Sequence, residues 1–323
     1  MKKIVGLLII ANISFLSAGE ISTDFGTFGD WAQRNNIQSD ATHVNGADYP
    51  DPGVSSLDGI ESYTKIQNLT LYANTIEFNP NWFSDLSDLE YLKLISTRFT
   101  NIKVDDLTHL SNLKTLDLRA NAISNIENNA FRNMQSLQYL DLSSGSNIEM
   151  NYNFTGANFR DLQCFIGFPS SYGTTVLFNN STLSQTAYNG LMGEESKMIG
   201  GVISPAYGIT QINSVGMVNF SSANLSDVTD LSQITLTESI EELIFDGTIF
   251  SDSIIAGDYS ELLNLTDTIA SLNKLTIDMD VYLSQQDYFD TWDAIDGNTL
   301  ITPEPATLLL FGLGGLALRK RRA

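Results

Sequence analysis

Cysteine is nearly absent from this chain of 323 residues: Cys164 stands alone. No intramolecular disulfide can form, so the fold must be held by packing. Cys164 sits between Leu162 and Phe165, which suits a buried thiol better than a reactive one. Histidine is almost as scarce. His43 falls in an N-terminal loop region and His109 between Leu107 and Leu110, so no His-rich or Cys/His metal cluster can be assembled. Basic residues are few, 17 Lys and Arg against 38 Asp and Glu for a net charge of −21. That deficit excludes free nucleic acid as a partner, because phosphates need a basic surface. It favours solubility and attraction to basic partners. Two further absences concern catalysis: there is no Gly-x-Ser-x-Gly elbow and no phosphate-binding glycine loop. Paired carboxylates such as Asp105-Asp106, Glu194-Glu195 and Glu241-Glu242 read as solvated surface in so acidic a chain. No metal or cofactor site is expected, although the acidic loops leave room for weak calcium binding.

What the chain does have is one phrase repeated three times. The copies are Ile66-x-x-Leu69-x-Leu71-x-x-Asn74-x-Ile76, Leu89-x-x-Leu92-x-Leu94-x-x-Thr97-x-Phe99 and Leu113-x-x-Leu116-x-Leu118-x-x-Asn121-x-Ile123. Their starts lie 23 and 24 residues apart. Alternation places both leucines of each copy on the inner face of a short strand. Asn74 and Asn121 turn inward, where an amide can bond the backbone of neighbouring coils; Thr97 does this less fully. Between strands, apolar residues step by three, as in Phe83-x-x-Leu86-x-x-Leu89 and Phe131-x-x-Met134-x-x-Leu137, which suits short helical or 3-10 returns. A fourth strand, Leu137-x-x-Leu140-x-Leu142, follows before the pattern blurs. Phe165 to Ser170 and Val176-x-Phe178-x-x-Ser181-x-Leu183 are weak copies. Gln185 to Ala206 is poorly periodic. The phrase returns at Val215, Ile240 and Leu272.

This arrangement resembles the leucine-rich repeat family, with an entry similar to internalin-type repeats. The period falls in that family's range of roughly 20–29 residues. The resemblance implies an α/β solenoid, or horseshoe, with a curved parallel sheet on the concave face and short helical, 3-10 or irregular returns on the convex face. The solenoid is expected over residues 54–283, irregular around 143–212. An N-terminal cap and loop at 20–53 would carry Phe25, Phe28 and Trp31 at helical spacing. A C-terminal cap and linker at 284–301 would cover the last coil with Tyr288, Phe289 and Trp292.

Both ends read as targeting segments. Met1-Lys2-Lys3, the apolar stretch Ile4 to Leu16 and Ser17-Ala18-Gly19 form a secretory signal peptide over residues 1–19. At the other end, Pro303-Glu304-Pro305 precedes an apolar run of 13 residues, 306–318, and then Arg319-Lys320-Arg321-Arg322. The run is shorter than the ~20 residues of a standard spanning helix, and the basic tail should stay cytoplasmic. This tripartite order resembles the PEP-CTERM sorting signal, over residues 302–323. The resemblance implies transient passage through the inner membrane, recognition by an exosortase-type enzyme and delivery to the cell surface or extracellular matrix.

Outward strand positions fall into three rows across four coils: Asn68, Tyr91, Thr115, Tyr139; then Thr70, Lys93, Asp117, Asp141; then Tyr72, Ile95, Arg119, Ser143. Tyrosine and arginine are common binding anchors. The candidate ligand-binding patch is therefore Tyr72, Tyr91, Lys93, Asp117, Arg119, Tyr139 and Asp141, with no catalytic residue. Later strands offer Glu242, Ile244, Asp246, Lys274, Thr276 and Asp278, a more acidic set. The expected function is non-enzymatic: binding a protein or polysaccharide at the cell surface or in the matrix. A structural role in an exopolysaccharide matrix without a discrete ligand is the alternative. An extracellular polymer hydrolase is a remote third, because it would need two carboxylates converging in a cleft.

Overall fold

The computed structural model describes residues 26–48, 54–72, 79–143, 152–167, 174–192, 215–232, 234 and 240–302. The expected signal peptide lies outside these residues, as do Phe25, Asn74, Ile76, Glu194-Glu195 and the sorting segment from Pro303 onward. The described chain winds as a solenoid of parallel strands joined by short returns.

It opens on helix α1 (Phe28–Arg34), whose N-terminus is capped by Thr27: its hydroxyl accepts from Asp30 N at 3.1 Å. Phe28 and Trp31 are buried. The Phe28 ring meets Tyr63 edge-on at 5.3 Å, so the helix covers the first coil. Strand β1 (His43–Asn45) follows and pairs in parallel with β2 (Asn68–Tyr72), His43 beside Asn68. Part of the expected N-terminal loop, His43 included, is thus already a coil of the solenoid.

The regular coils come next: β3 (Tyr91–Ile95), the short β4 (Asn101–Ile102), β5 (Thr115–Asp117), the short β6 (Asn125–Ile126) and β7 (Tyr139–Asp141). Each strand is entered in the same way. Gln67 O accepts from Glu90 N and Tyr91 N, Glu90 O from Lys114 N and Thr115 N, and Lys114 O from Gln138 N and Tyr139 N, at 2.8–3.0 Å. The leucine pairs 69/71, 92/94, 116/118 and 140/142 are at most 3% exposed. Each such side chain contributes about 1.5–3 kcal/mol by leaving water. The three-residue steps of the returns bury Phe83, Leu86, Leu89, Phe131, Met134 and Leu137 on the opposite side of the same core. Neither strand nor return could bury its apolar face alone, so stacking of coils is what makes the fold.

After β7 the architecture changes hands. β8 (Tyr152–Asn153), β9 (Asn158–Phe159) and β10 (Cys164–Ile166) follow. β10 is the last strand of a six-stranded sheet ordered β1-β2-β3-β5-β7-β10. β8 instead lies against β6, with Asn153 Nδ2 donating to Ile126 O at 3.0 Å. It begins a second six-stranded sheet with β11 (Thr174–Leu177). β12 (Thr182–Ser184) leads into α2 (Gln185–Met192), which packs against β10. Gly190 makes that approach possible: a Cβ there would stand 2.7 Å from Leu162 O.

Beyond α2 come β13 (Val215–Asn219), β14 (Asn224–Asp227), β15 (Glu242–Ile244) and β16 (Ile249–Phe250). Two helices, α3 (Asp252–Ala256) and α4 (Ser260–Thr268), lead to β17 (Lys274–Thr276). Two more, α5 (Met279–Ser284) and α6 (Gln286–Asp293), lead to β18 (Thr299–Ile301). The second sheet runs β8-β11-β13-β15-β17-β18, and β9-β12-β14-β16 form a four-stranded sheet beside it.

Two expectations are refined here. Twelve of the described strands divide between two six-stranded sheets instead of sharing one, and the others form a four-stranded and a two-stranded sheet. The weak copies at Phe165 and Val176 are two strands of a single coil, one in each sheet, which is why the phrase blurs there. Likewise, the segment expected to cap the C-terminal end is a further coil. Phe289 and Trp292 are buried, and β18 then pairs with β17, Thr299 beside Lys274. In the β8, β11, β13 and β15 coils, phenylalanine replaces the second inward leucine, and in the β17 coil Ile277 does. Phe154, Phe178, Phe220 and Phe245 stack coil upon coil with centroids 5.5, 5.1 and 5.3 Å apart, close to the ~4.8 Å strand spacing. Among the described residues no helix is long and apolar enough to cross a membrane. The run 306–318 lies outside them.

Candidate functional site

The outer face of the first sheet carries the rows expected from the repeats. Register sets Asn68, Tyr91, Thr115 and Tyr139 side by side, and Thr70, Lys93, Asp117 and Asp141 likewise. Tyr72 pairs with Ile95 at the start of the third row. β1 extends the first row with His43 and the second with Asn45. His43 is exposed. The repeat phrase gave no sign of it, because β1 has a single inward apolar residue, Val44.

The burial of these side chains is uneven. Tyr72 and Tyr91 are 41% and 39% exposed, and Lys93 is half-buried. Asp117 and Asp141, expected to meet a ligand, are instead buried, at 1% and 3%. Alternation sends them outward, but their neighbours close over them. Tyr139, also expected at the surface, is half-buried and donates its hydroxyl to Asp141 Oδ2 at 3.1 Å. Asp141 Oδ1 accepts from Ser143 N at 2.9 Å and Ser143 Oγ at 2.6 Å. Asp117 pairs with Arg119, Nη2 to Oδ2 at 3.1 Å, and not with Lys93 across the register. The two halves of that pair differ sharply: the Asp117 side chain is 2% exposed and that of Arg119 is 44% exposed.

Electrostatics follow from this burial. Desolvation, with the adjacent Asp141 charge, pushes the Asp117 carboxyl up to about 6, although Arg119 and Lys93 oppose it. Burial and then Asp141 push the Tyr139 phenol far above its ordinary range. Both acids are therefore structural parts of the face, holding Arg119, Tyr139 and Ser143 in place.

Elsewhere, His109 lies exposed on a return. Among the described residues, no group of three or more His, Cys, Asp or Glu side chains could hold a metal ion. Cys164 is buried at 2% exposure. Of the carboxylate pairs expected on the surface, Asp106 is buried at 3%. Its Oδ2 accepts from Lys103 N at 2.7 Å and closes a turn, so it is not solvated. On the second sheet, Glu242 is paired with Lys274 at 2.7 Å.

Two family models match parts of the chain. Residues 92–147 match the leucine rich repeat family, and residues 302–322 match the PEP-CTERM protein-sorting motif. The chain thus carries a leucine rich repeat segment within its first sheet and a PEP-CTERM protein-sorting motif near its C-terminal end. The solved structure of a TLR13–ssRNA13 complex is similar at 14% identity and a TM-score of 0.28, covering 77% of this chain and 37% of that one. This chain thus spans well under half the length of that protein. No curated protein matches it.

Proposed function

We propose that this is an exported, non-enzymatic protein that uses the outer face of its first sheet to bind a protein or polysaccharide at the cell surface or in the extracellular matrix. The sorting motif supports export, with an exosortase-type enzyme as processing partner and a transient inner-membrane intermediate through residues 306–318. The observation that carries the binding role is the exposure of Tyr72 and Tyr91, at 41% and 39%, on strands whose inward leucines are fully packed. Large aromatic side chains held open on a rigid sheet are what a binding surface needs, since little ordering is left to be done on association.

The test is the double variant Tyr72→Ala/Tyr91→Ala, assayed for retention on the surface or matrix of producing cells. Retention should fall while the unfolding midpoint stays unchanged. Undiminished retention would remove the face from the reading and favour the matrix role without a discrete ligand.

A further inference from the structure

We propose that the partner of the first sheet is an anionic polysaccharide, a chain of carboxylate-bearing sugars, held by Tyr72, Tyr91, Lys93 and Arg119. This rests on the binding role proposed above and names its ligand class.

The argument begins with what a partner would meet. The described residues that register and strand alternation assign to this face include two acids, Asp117 and Asp141. Both are withdrawn from solvent, at 1% and 3% exposure. The two cations of the patch are not withdrawn. Lys93 is half-buried and forms no ion pair with a described residue. Arg119 is 44% exposed even while one nitrogen touches Asp117. A guanidinium has five N–H donors in a planar fork, so an edge remains for an incoming carboxylate. In a chain of net charge −21, this sheet therefore keeps its acids beneath the surface and its cations at it. The patch is formally balanced, two cations against two acids, in a chain that is otherwise strongly acidic, and it is the cations that an incoming carboxylate would meet first.

The neutral residues choose between a sugar chain and a peptide. Among the described residues, the large apolar side chains exposed on this face are the two tyrosines, since Ile95 is 9% exposed. A peptide partner is usually anchored by an apolar side chain in a pocket, whereas the large exposed side chains that the described residues offer here are two tyrosine rings. Flat phenol rings with a polar tip suit the apolar face and hydroxyls of a sugar. Tyr91 and Tyr72 stand at opposite ends of the paired strands β2 and β3, four residues apart in register. That is about 13 Å along the sheet, with Lys93 and Thr70 between them. The two rings and the central cation thus suit an extended polymer better than a single sugar.

The experiment measures binding of the purified full chain to polygalacturonate, to the same polymer with its carboxyls reduced, and to polyglutamate, at low and high salt. Polygalacturonate should bind, more weakly as salt rises. The carboxyl-reduced polymer should bind at least ~10-fold more weakly. Lys93→Gln breaks no ion pair within the described fold, and it should cost about threefold. K93Q/R119Q should cost at least ~10-fold. Equal affinity for the reduced polymer, or no effect of either charge variant, overturns the anionic assignment. Polyglutamate binding as tight as polygalacturonate overturns the sugar assignment. In both cases the binding role survives if Tyr72→Ala/Tyr91→Ala still abolishes retention on cells. If no probe binds and that retention is also unchanged, both readings fall.

Discussion

Asn121 and Thr97 occupy the same place in successive coils, and Asn121 serves both. Its Oδ1 accepts from Thr97 N at 2.7 Å, Thr97 Oγ1 at 3.0 Å and Phe99 N at 3.2 Å. Its Nδ2 donates to Leu94 O and Leu118 O, each at 2.7 Å. One carboxamide 3% exposed thus satisfies backbone groups of two turns of the solenoid. Asn121→Ala should leave several of those groups buried without partners, at ~1–3 kcal/mol each. A loss of at least ~3 kcal/mol is expected in urea unfolding. A loss under ~1 kcal/mol would show that the inward amide is dispensable. Thr97→Val removes only a hydroxyl and should cost about 1 kcal/mol.

The equivalent position in the second half behaves in the opposite way. Among the described residues, Ser181 Oγ is buried with no hydrogen-bond partner. The neighbouring coils carry Ala157 and Ala223 at the matching place. Removing an unsatisfied buried hydroxyl relieves a desolvation cost, so Ser181→Ala should be neutral or stabilising by up to ~1 kcal/mol. Clear destabilisation in thermal unfolding would mean that the hydroxyl is engaged.

Asp117 predicts a pH dependence whose sign is opposite to that of most carboxylates. Its folded-state value of about 6 lies above the ordinary 3.8. The folded state therefore holds the proton more tightly than the unfolded chain. The associated stability is present below about pH 4 and is lost as pH rises to about 6, by up to ~3 kcal/mol at 1.36 kcal/mol per unit. Asp117→Asn should abolish that fall. The difference in unfolding free energy between native chain and variant, followed from pH 4 to 7.5, should change across this window and be flat above it. A flat difference throughout would contradict the buried, proton-holding carboxylate.

Gly190→Ala tests the join between the two sheets. The new Cβ would meet Leu162 O at 2.7 Å, and backbone cannot turn aside as a flexible side chain can. A loss of about 1–3 kcal/mol is expected. An unchanged unfolding midpoint would show that α2 is free to move off β10.

The sorting segment makes a cellular prediction. Replacing Pro303, Glu304 and Pro305 by alanine should leave the full-length chain in the inner-membrane fraction, detected as an unprocessed band. Normal release of that variant would exclude cleavage directed by the triplet.

The sequence was most legible where one coil carries one repeat. The inward leucines, the row registers and the inward asparagine could all be placed from spacing alone, because a period of two and a fixed coil length leave no other arrangement. Three things were hidden. β1 and β18 each bring little apolar signal, Val44 and Leu300, since an end strand needs few inward anchors. The coil spanning residues 164–184 holds two strand phrases, so its period looks broken. The burial of Asp117 and Asp141 depends on what Arg119, Tyr139 and Ser143 do sideways, and alternation along one strand says nothing about that.

The hand-over from one sheet to the other also bears on how such a chain can change length. Between β2 and β5 each coil is interchangeable with the next, because all of them present the same entry carbonyl and the same inward pair. A coil gained or lost there would shift the first face by one step and leave the second untouched. The segment from β7 to α2 has no such freedom, since it ends one sheet and begins another. Lineages of this protein should therefore vary in repeat number ahead of Tyr139 while keeping that junction at constant length.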